Sequence, residues 1–514
     1  MRLLLSTVRN NCIHTQLSLK YLYSVVCEAP CETEIMEFEE TDHLGYIYKE
    51  IVRGDFQIVY FHCNMMNEKK ISQIAEMVKK AVPSSIVVLG GMEVSFRTKA
   101  YMESHPWVDY VFRGECEQLL YNFLKTIFTY EFDFEGIAGL AYRDNGEIHV
   151  NPFAAPIRFE DIPFPYEKED LGEGDKVYYE SFRGCPDRCY YSQFLPNHLV
   201  RTLPLGRVCT ELRYFLVKNV KTVRFIDKWF NVNTERAYRI WEYLINNDNG
   251  ITTFEFDVNG DYLDEETIRL LGTARSGQFR FFVDLESTNA EALAAAGRKE
   301  NVYQSMYNIT RLLQKRDAET GKGVVEVTVH QMAGLPCETP ELFARAFNKI
   351  YGLGADYIDL SVMRLKKGTK LRQEADRYGY VYRNDAPYEV IANDFMPATE
   401  LIRIRMVEDL LDAYYNKGGF EESIPKILGD TRTKPYVFYS GLADFIYDNH
   451  LDRKMGKREH LYRILYAYAT ELYDEANETL QLEVLKEVIH SDLEKNLSTD
   501  SIRKFDRKGW EILS

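Results

Sequence analysis

The chain has 514 residues, 45% hydrophobic and 28% charged, which suits two to four globular domains rather than a single core. Its 79 acidic against 63 basic residues leave a formal charge of −16, which argues against a nucleic-acid-binding surface. No apolar run approaches the ~18 residues of a membrane span, and the first residues lack the apolar stretch of a secretory leader, so a cytoplasmic protein without a membrane partner is expected.

From the N-terminus, Leu3–Thr7 is an apolar run, followed by a helical pattern over 14–26. Phe56–Phe61, Ser85–Leu89 and Val108–Phe112 are further runs, with a helical pattern over 68–81 between the first two. Continuous apolar strands alternating with amphipathic helices predict a Rossmann-like, doubly wound parallel sheet over residues 1–150. Such sheets bind ligands at the carboxyl ends of their strands, here residues 62–67, 90–95 and 113–117. The turn Asp144-Asn145-Gly146 predicts a hairpin closing this unit. Residues 151–175, with four prolines, read as a linker.

Six strand-like runs follow, at 177–182, 222–227, 252–258, 279–285, 324–332 and 356–362, separated by helical segments. Residues 176–375 are therefore expected to form a partial (βα)6 barrel, with its chemistry at the carboxyl ends of the strands. Residues 376–514 read as mainly helical. Their Tyr-rich helices near 436–473 are most simply core and interface.

The decapeptide at 183–192, Arg-Gly-Cys-Pro-Asp-Arg-Cys-Tyr-Tyr-Ser, follows the first barrel strand. Cys185 and Cys189 are four apart, and a cysteine at 192 would complete C-x3-C-x2-C, a three-thiolate cradle for a 4Fe-4S cluster with one open iron. Position 192 is Ser, a harder donor than thiolate. The two cysteines read either as cluster ligands or as structural thiols of a tight turn. Cys209 is too far along a predicted helix to replace the missing ligand. Nine scattered cysteines, an odd number, suit a reducing compartment rather than a disulfide scaffold.

With both arrays and the cysteine turn in this order, residues 1–375 resemble the cobalamin-binding-domain radical S-adenosylmethionine (SAM) family. Asn11-Cys12-Ile13-His14-Thr15, Gly90-Gly91-Met92-Glu93-Val94-Ser95 and Phe112-Arg113-Gly114-Glu115 resemble its cobalamin-domain motifs. Arg183-Gly184-Cys185-Pro186 and Tyr191 resemble its cluster loop, and Glu286-Ser287-Thr288-Asn289 and Ala333-Gly334-Leu335-Pro336 its later strand ends. The resemblance implies a 4Fe-4S cluster on Cys185, Cys189 and position 192. It implies SAM near Tyr191, Asp227, Asn259, Glu286, Ser287 and Gly334. It implies cobalamin near Thr7, Asn11, His14, Thr15, Cys63, Asn64, Gly90, Gly91, Glu93, Arg113, Gly114 and Glu115. The implied activity is reductive SAM cleavage with radical-based, methyl-type transfer to a small-molecule or peptide substrate, fed by an electron donor.

The departures define the alternatives. Besides Ser192, Asp227-Lys228-Trp229 stands where many radical SAM proteins carry Gly-Gly-Glu, and the bulk of Trp229 would narrow a pocket. Asp-x-His-x-x-Gly, the usual lower-ligand motif for cobalt, is absent, so His14 is not expected to bind it. A non-catalytic paralogue that binds cobalamin or a partner is one alternative. Acid–base chemistry by Asp284, Glu286 and His330 at the barrel mouth is another. His330 reads as a core histidine in the first instance, and Arg364, Lys366 and Lys367 as solvated charges or an anion site.

Overall fold

The computed structural model describes all residues except 11–15, 28, 130–132, 170, 188, 194–198, 320 and 511–514. Asn11, His14 and Thr15 lie outside the described residues.

The apolar runs pair as a seven-stranded sheet in the order β2-β1-β3-β4-β5-β6-β7. Its strands are β1 (Arg2–Arg9), β2 (Glu32–Glu39), β3 (Ile58–His62), β4 (Ile86–Gly90), β5 (Tyr110–Phe112), β6 (Leu140–Asp144) and β7 (Glu147–Val150). The first five are parallel, and β6 and β7 form the expected antiparallel hairpin, with Asn145 and Gly146 both at positive φ. β1 and β3 are buried on both faces by helices, which is why they read as unbroken apolar runs. β2 was not legible: Glu32-Thr-Glu-Ile-Met-Glu-Phe-Glu alternates acids with apolar residues because it is the half-exposed edge strand.

The second array is an open, all-parallel six-stranded sheet in the order β15-β14-β13-β12-β11-β8. Between its first two strands, β8 (Lys176–Tyr179) and β11 (Thr222–Phe225), the short strands β9 (Phe182–Arg183) and β10 (Arg201–Thr202) pair antiparallel at the neck of the cysteine loop. The remaining strands are β12 (Thr253–Val258), β13 (Phe279–Glu286), β14 (Val325–Ala333) and β15 (Tyr357–Val362). Alternation along them separates two chemistries. Phe254, Phe256, Phe279, Phe281, Val327 and Val329 are fully buried, and Phe281 and Phe256 contact Trp241 of the helix 234–246. The opposite set carries Arg224, Asp257, Asp284, His330 and Ser361, a polar inner wall.

Neither outer edge of this sheet is bare. On β15, the Asn416 side chain imitates a strand: its Oδ1 accepts from the Ile358 amide (2.9 Å) and its Nδ2 donates to the Ile358 carbonyl (3.0 Å). Asn416 closes a π-turn at Asp412–Asn416. On β8, the Tyr166 hydroxyl donates to the Tyr178 carbonyl (2.6 Å) and accepts from the Tyr178 amide (3.2 Å). Edge groups that would template another strand are thereby satisfied.

After a short ladder of β16 (Val381–Tyr382) with β17 (Val390–Ala392), the chain is helical from Ala398 to Lys508. Most of the aromatic residues there are core, Tyr447 being exposed: Tyr436 and Tyr439 of helix 435–448 pack on Phe343 and Phe347 of helix 340–351. Among the described residues no helix is long and apolar enough to cross a membrane.

Candidate functional site

The loop after β9 is stapled to the rim of the second sheet. The Tyr190 amide donates to the Ala296 carbonyl (2.8 Å) and its carbonyl accepts from the Leu371 amide (2.8 Å). The Lys370 ammonium stands 3.6 Å over the Tyr190 ring, and Gln193 Nε2 donates to the Lys367 carbonyl (2.8 Å). So fixed, Cys189 Sγ and Ser192 Oγ lie 2.7 Å apart. Cys185 is close enough for its charge to act on Cys189. Burial raises both thiols, Cys189 to about 11. Hydrogen bonds from the Asp187 amide to Cys185 and with Ser192 at Cys189 oppose this, as do Arg298 and, at Cys185, Lys228, while the Asp187 charge adds to it. Among the described residues no three His, Cys, Asp or Glu side chains converge as a metal site, and the third position of this set carries a hydroxyl.

Arg298 organises the ground beneath the loop, and nothing in the sequence singled it out. It is 6% exposed. Its Nη1 donates to the Tyr191 hydroxyl (3.1 Å), and its Nη2 donates to the Asp284 carbonyl (2.5 Å) and to Glu300 (2.6 Å). It faces Asp187 at 3.7 Å and Glu286 at 3.6 Å, and its guanidinium lies 5.3 Å from the Trp229 ring centroid. Trp229 thus roofs a buried cation rather than narrowing a pocket. The one available signal was a base, Arg298, just after the Ala-rich helix 290–295.

Glu286 sits at a bulge in β13 with φ +60°, a conformation that costs a non-glycine residue ~1 kcal/mol or more. Its surroundings hold it there: the Tyr191 hydroxyl donates to Oε1 (2.8 Å) and His330 Nδ1 lies 2.8 Å from Oε2. Burial would raise the Glu286 carboxyl, but His330 and Arg298 overcome it and lower it to about 2. Burial likewise opposes charge on His330, and Glu286 outweighs it, raising the imidazole to about 9. His330 is therefore not a neutral core histidine. Its other nitrogen meets Ser361 Oγ at 2.7 Å. Lys228 joins this wall through Asp257 (2.6 Å) and Asp284 (3.9 Å).

Several expected contacts are placed otherwise. Asp227 is buried and accepts from the Ser181 amide (2.9 Å), the Ser181 hydroxyl (2.5 Å) and the Phe182 amide (3.3 Å), so it fixes the β8–β9 junction instead of facing a ligand. Burial raises it to about 7. Gly334 packs under Val390 and Leu401, and its carbonyl is taken by Tyr380 and Asn393. Ser287 donates to the buried Glu338 and its oxygen caps the Asn289 amide (3.0 Å). Asn259 is different: its Oδ1 caps Asp261, but its Nδ2 is buried at the end of β12 without a partner among the described residues.

At the carboxyl edge of the first sheet, Thr7 is bound to His62 and Asn67, and Asn64 caps the Met66 amide. Cys63 is a packed thiol, fully buried. Gly90 and Gly91 are required by their own neighbours: a Cβ would lie 2.2 Å from the Tyr60 hydroxyl at Gly90 and 2.2 Å from the Cys63 carbonyl at Gly91. Arg113 binds the Asn151 carbonyl (2.7 Å) and stacks on Phe153, the Gly114 amide donates to Ser95, and Glu115 holds Arg201 and the Ile157 amide. Arg113 and Glu115 thus tie the linker to the first sheet, and Glu115 ties both to β10. Glu93, 1% exposed, pairs with Lys367 (2.5 Å) and accepts from the Tyr388 hydroxyl, joining this edge to the rim of the second sheet. Cys209 lies on the helix 205–217 beside Arg236 and Tyr243, not at the cysteine turn.

Comparison with known proteins agrees with this geometry. The Radical SAM superfamily matches residues 179–350, and a family described as a protein of unknown function, DUF4080, matches residues 376–512. The cobalamin-dependent radical SAM methyltransferase TokK of Streptomyces tokunonensis is 24% identical over 64% of this chain and 50% of its own length. An uncharacterized methyltransferase of Pyrococcus horikoshii is 29% identical over 44% of this chain and 51% of its own. The chain thus spans about half the length of these curated relatives. In fold it is similar to OxsB, a cobalamin-dependent SAM radical enzyme (TM-score 0.61, 15% identity, 99% of this chain and 83% of that one). It is also similar to the radical SAM methyltransferase TsrM of Kitasatospora setae (TM-score 0.59, 16% identity, 76% and 80%). The chain thus carries a Radical SAM superfamily region at 179–350 behind a Rossmann-like sheet, and it is similar over both to cobalamin-dependent radical SAM enzymes.

Proposed function

We propose that this protein is a radical SAM enzyme in which Cys185, Cys189 and Ser192 hold an iron–sulfur cluster. Its functional units are 1–150, the linker 151–175, 176–375 and 376–514. The observation that carries the reading is the convergence of Cys189 Sγ and Ser192 Oγ at 2.7 Å on a loop fixed at four points to the sheet rim. The donor set fits a cluster: two soft sulfurs and a hydroxyl that can bind as alkoxide, with Arg298 nearby to favour the anionic ligand state. Asn259 Nδ2, a buried donor without a partner among the described residues, fits a hydrogen-bond acceptor of SAM. The carboxyl edge of the first sheet, turned to the same rim by Glu93, is the place for cobalamin.

When bound, these groups supply an electron for reductive SAM cleavage and a carrier for a methyl group. The chain's own part is positional. Tyr191, Glu286 and Arg298 form one buried hydrogen-bonded unit that fixes the rim under the loop. The protonated His330 keeps Glu286 ionised, so a carboxylate is held at the mouth of the inner wall.

Anaerobic reconstitution with iron and sulfide tests the reading. We expect retained iron, a cluster signal in electron paramagnetic resonance, and 5′-deoxyadenosine from SAM under reducing conditions. Ser192→Cys is expected to bring iron to about four per chain and Ser192→Ala to lower it. Protein that holds no iron in either the native or the Ser192→Cys form refutes the proposal.

A further inference from the structure

Most cations at the barrel mouth are matched by acids: Lys228 by Asp257, Arg298 by Glu300 and Glu286, and Lys367 by Glu93. Two are not. Arg364 and Lys366 follow β15 and have no carboxylate or hydrogen-bond partner for their side chains among the described residues. Arg364 is partly buried, with its Nε fully shielded and unpaired. Lys366 is also partly buried and feels two further cations, Lys228 and Arg364, together with Cys189 and Glu286. Burial and those like charges lower its ammonium from the ordinary value.

Like charges gathered in a half-buried place cost free energy unless an anion joins them. The fold could have dispersed them. Instead it turns the segment inward: the Lys366 amide donates to the Arg364 carbonyl (3.1 Å), and the Leu365 amide is bound by the Tyr388 carbonyl (2.9 Å). Arg372 then binds the Leu365 carbonyl (2.9 Å) and stacks on Tyr388 (4.5 Å), so the turn is rigid. The segment adjoins the cysteine loop, whose Gln193 Nε2 donates to the Lys367 carbonyl (2.8 Å), and Cys189 and Glu286 are near enough for their charges to act on Lys366.

We infer that Arg364 and Lys366 form a receptor for an oxyanion, a carboxylate or phosphate group carried by the substrate. Arg offers a planar fork and Lys a mobile point charge, a pairing suited to such a group. The inference rests on the radical SAM reading for the identity of the bound molecule, and on these two side chains alone for the anion. A carboxylate could also belong to SAM, and the test separates the sources.

Inorganic phosphate and S-adenosylhomocysteine are titrated separately into the full chain by calorimetry, with Arg364→Gln, Lys366→Met and the conservative Lys366→Arg. We expect phosphate affinity to fall by about tenfold or more in the first two variants and to be kept in Lys366→Arg, with S-adenosylhomocysteine affinity unchanged throughout. Phosphate that does not bind the native protein, or binds all variants equally, overturns the receptor. Loss of S-adenosylhomocysteine affinity in the same variants overturns its assignment to the substrate. Phosphate binding in a protein that takes no S-adenosylhomocysteine upholds the receptor and defeats the radical SAM reading instead.

Discussion

Arg298 Nη1 lies 3.6 Å from Glu286 Oε1, and both side chains are almost wholly buried. One cation here faces Glu286, Glu300 and Asp187 together, so its removal strips Glu300 of its ion pair and leaves Glu286 to His330 alone. Arg298→Met is expected to destabilise the protein by ~3–5 kcal/mol in urea unfolding. It should also release the Tyr190–Ser192 segment, read as faster amide exchange there. A variant within about 1 kcal/mol of native would mean that the guanidinium is not the hub of this network.

The Glu286–His330 pair sets a pH dependence whose sign follows from the two shifts. The imidazole moves from 6.5 unfolded to about 9 folded, so its contribution is complete below pH 6.5 and disappears as pH rises through 9. The carboxyl moves from 4.5 down to about 2, so its contribution is present above pH 4.5 and lost on acidification toward 2. Stability should therefore decline between pH 6.5 and 9. This residue's share of the slope is at most ~1.4 kcal/mol per pH unit, and His330→Gln should flatten the decline. Chemical unfolding at half-unit pH steps measures it, and an unchanged slope in the variant would contradict the pairing.

Asp227 anchors the main chain where the cysteine loop begins. Asp227→Ala leaves the Ser181 and Phe182 amides unsatisfied and is expected to cost ~2–3 kcal/mol. Because the Asp227 carboxylate is taken up by Ser181 and Phe182, affinity for S-adenosylhomocysteine should drop far less than stability. Calorimetric titration beside thermal unfolding separates the two, and equal losses would restore Asp227 to a ligand-binding role.

Glu93 joins the two sheets through Lys367 and Tyr388. Glu93→Ala is predicted to cost ~2 kcal/mol and to open the linker around 151–175 to limited proteolysis. Lys367→Met should produce the same cleavage pattern with a smaller loss, since Tyr388 still donates to Glu93 in that variant.

The fold was legible wherever burial acts on both faces of a strand, because the sequence there has no choice but an apolar run. β2 escaped because an edge strand keeps its acids in water. The cysteine turn was legible from spacing and from its position after a strand. The tasks of Asp227, Arg113 and Glu115 were not: each charge is neutralised by backbone groups or side chains distant in the chain, and periodicity carries no information about such partners. Arg298 was invisible for the same reason. Its four acidic or phenolic partners converge only after β13 bulges at Glu286.

Asn416 and Tyr166, each pressed against one strand amide and carbonyl, give the half-barrel a finished perimeter. A foreign β-ribbon arriving sideways meets occupied rungs at Ile358 and Tyr178. At those two rungs the sheet offers no free amide and carbonyl for edge-to-edge growth.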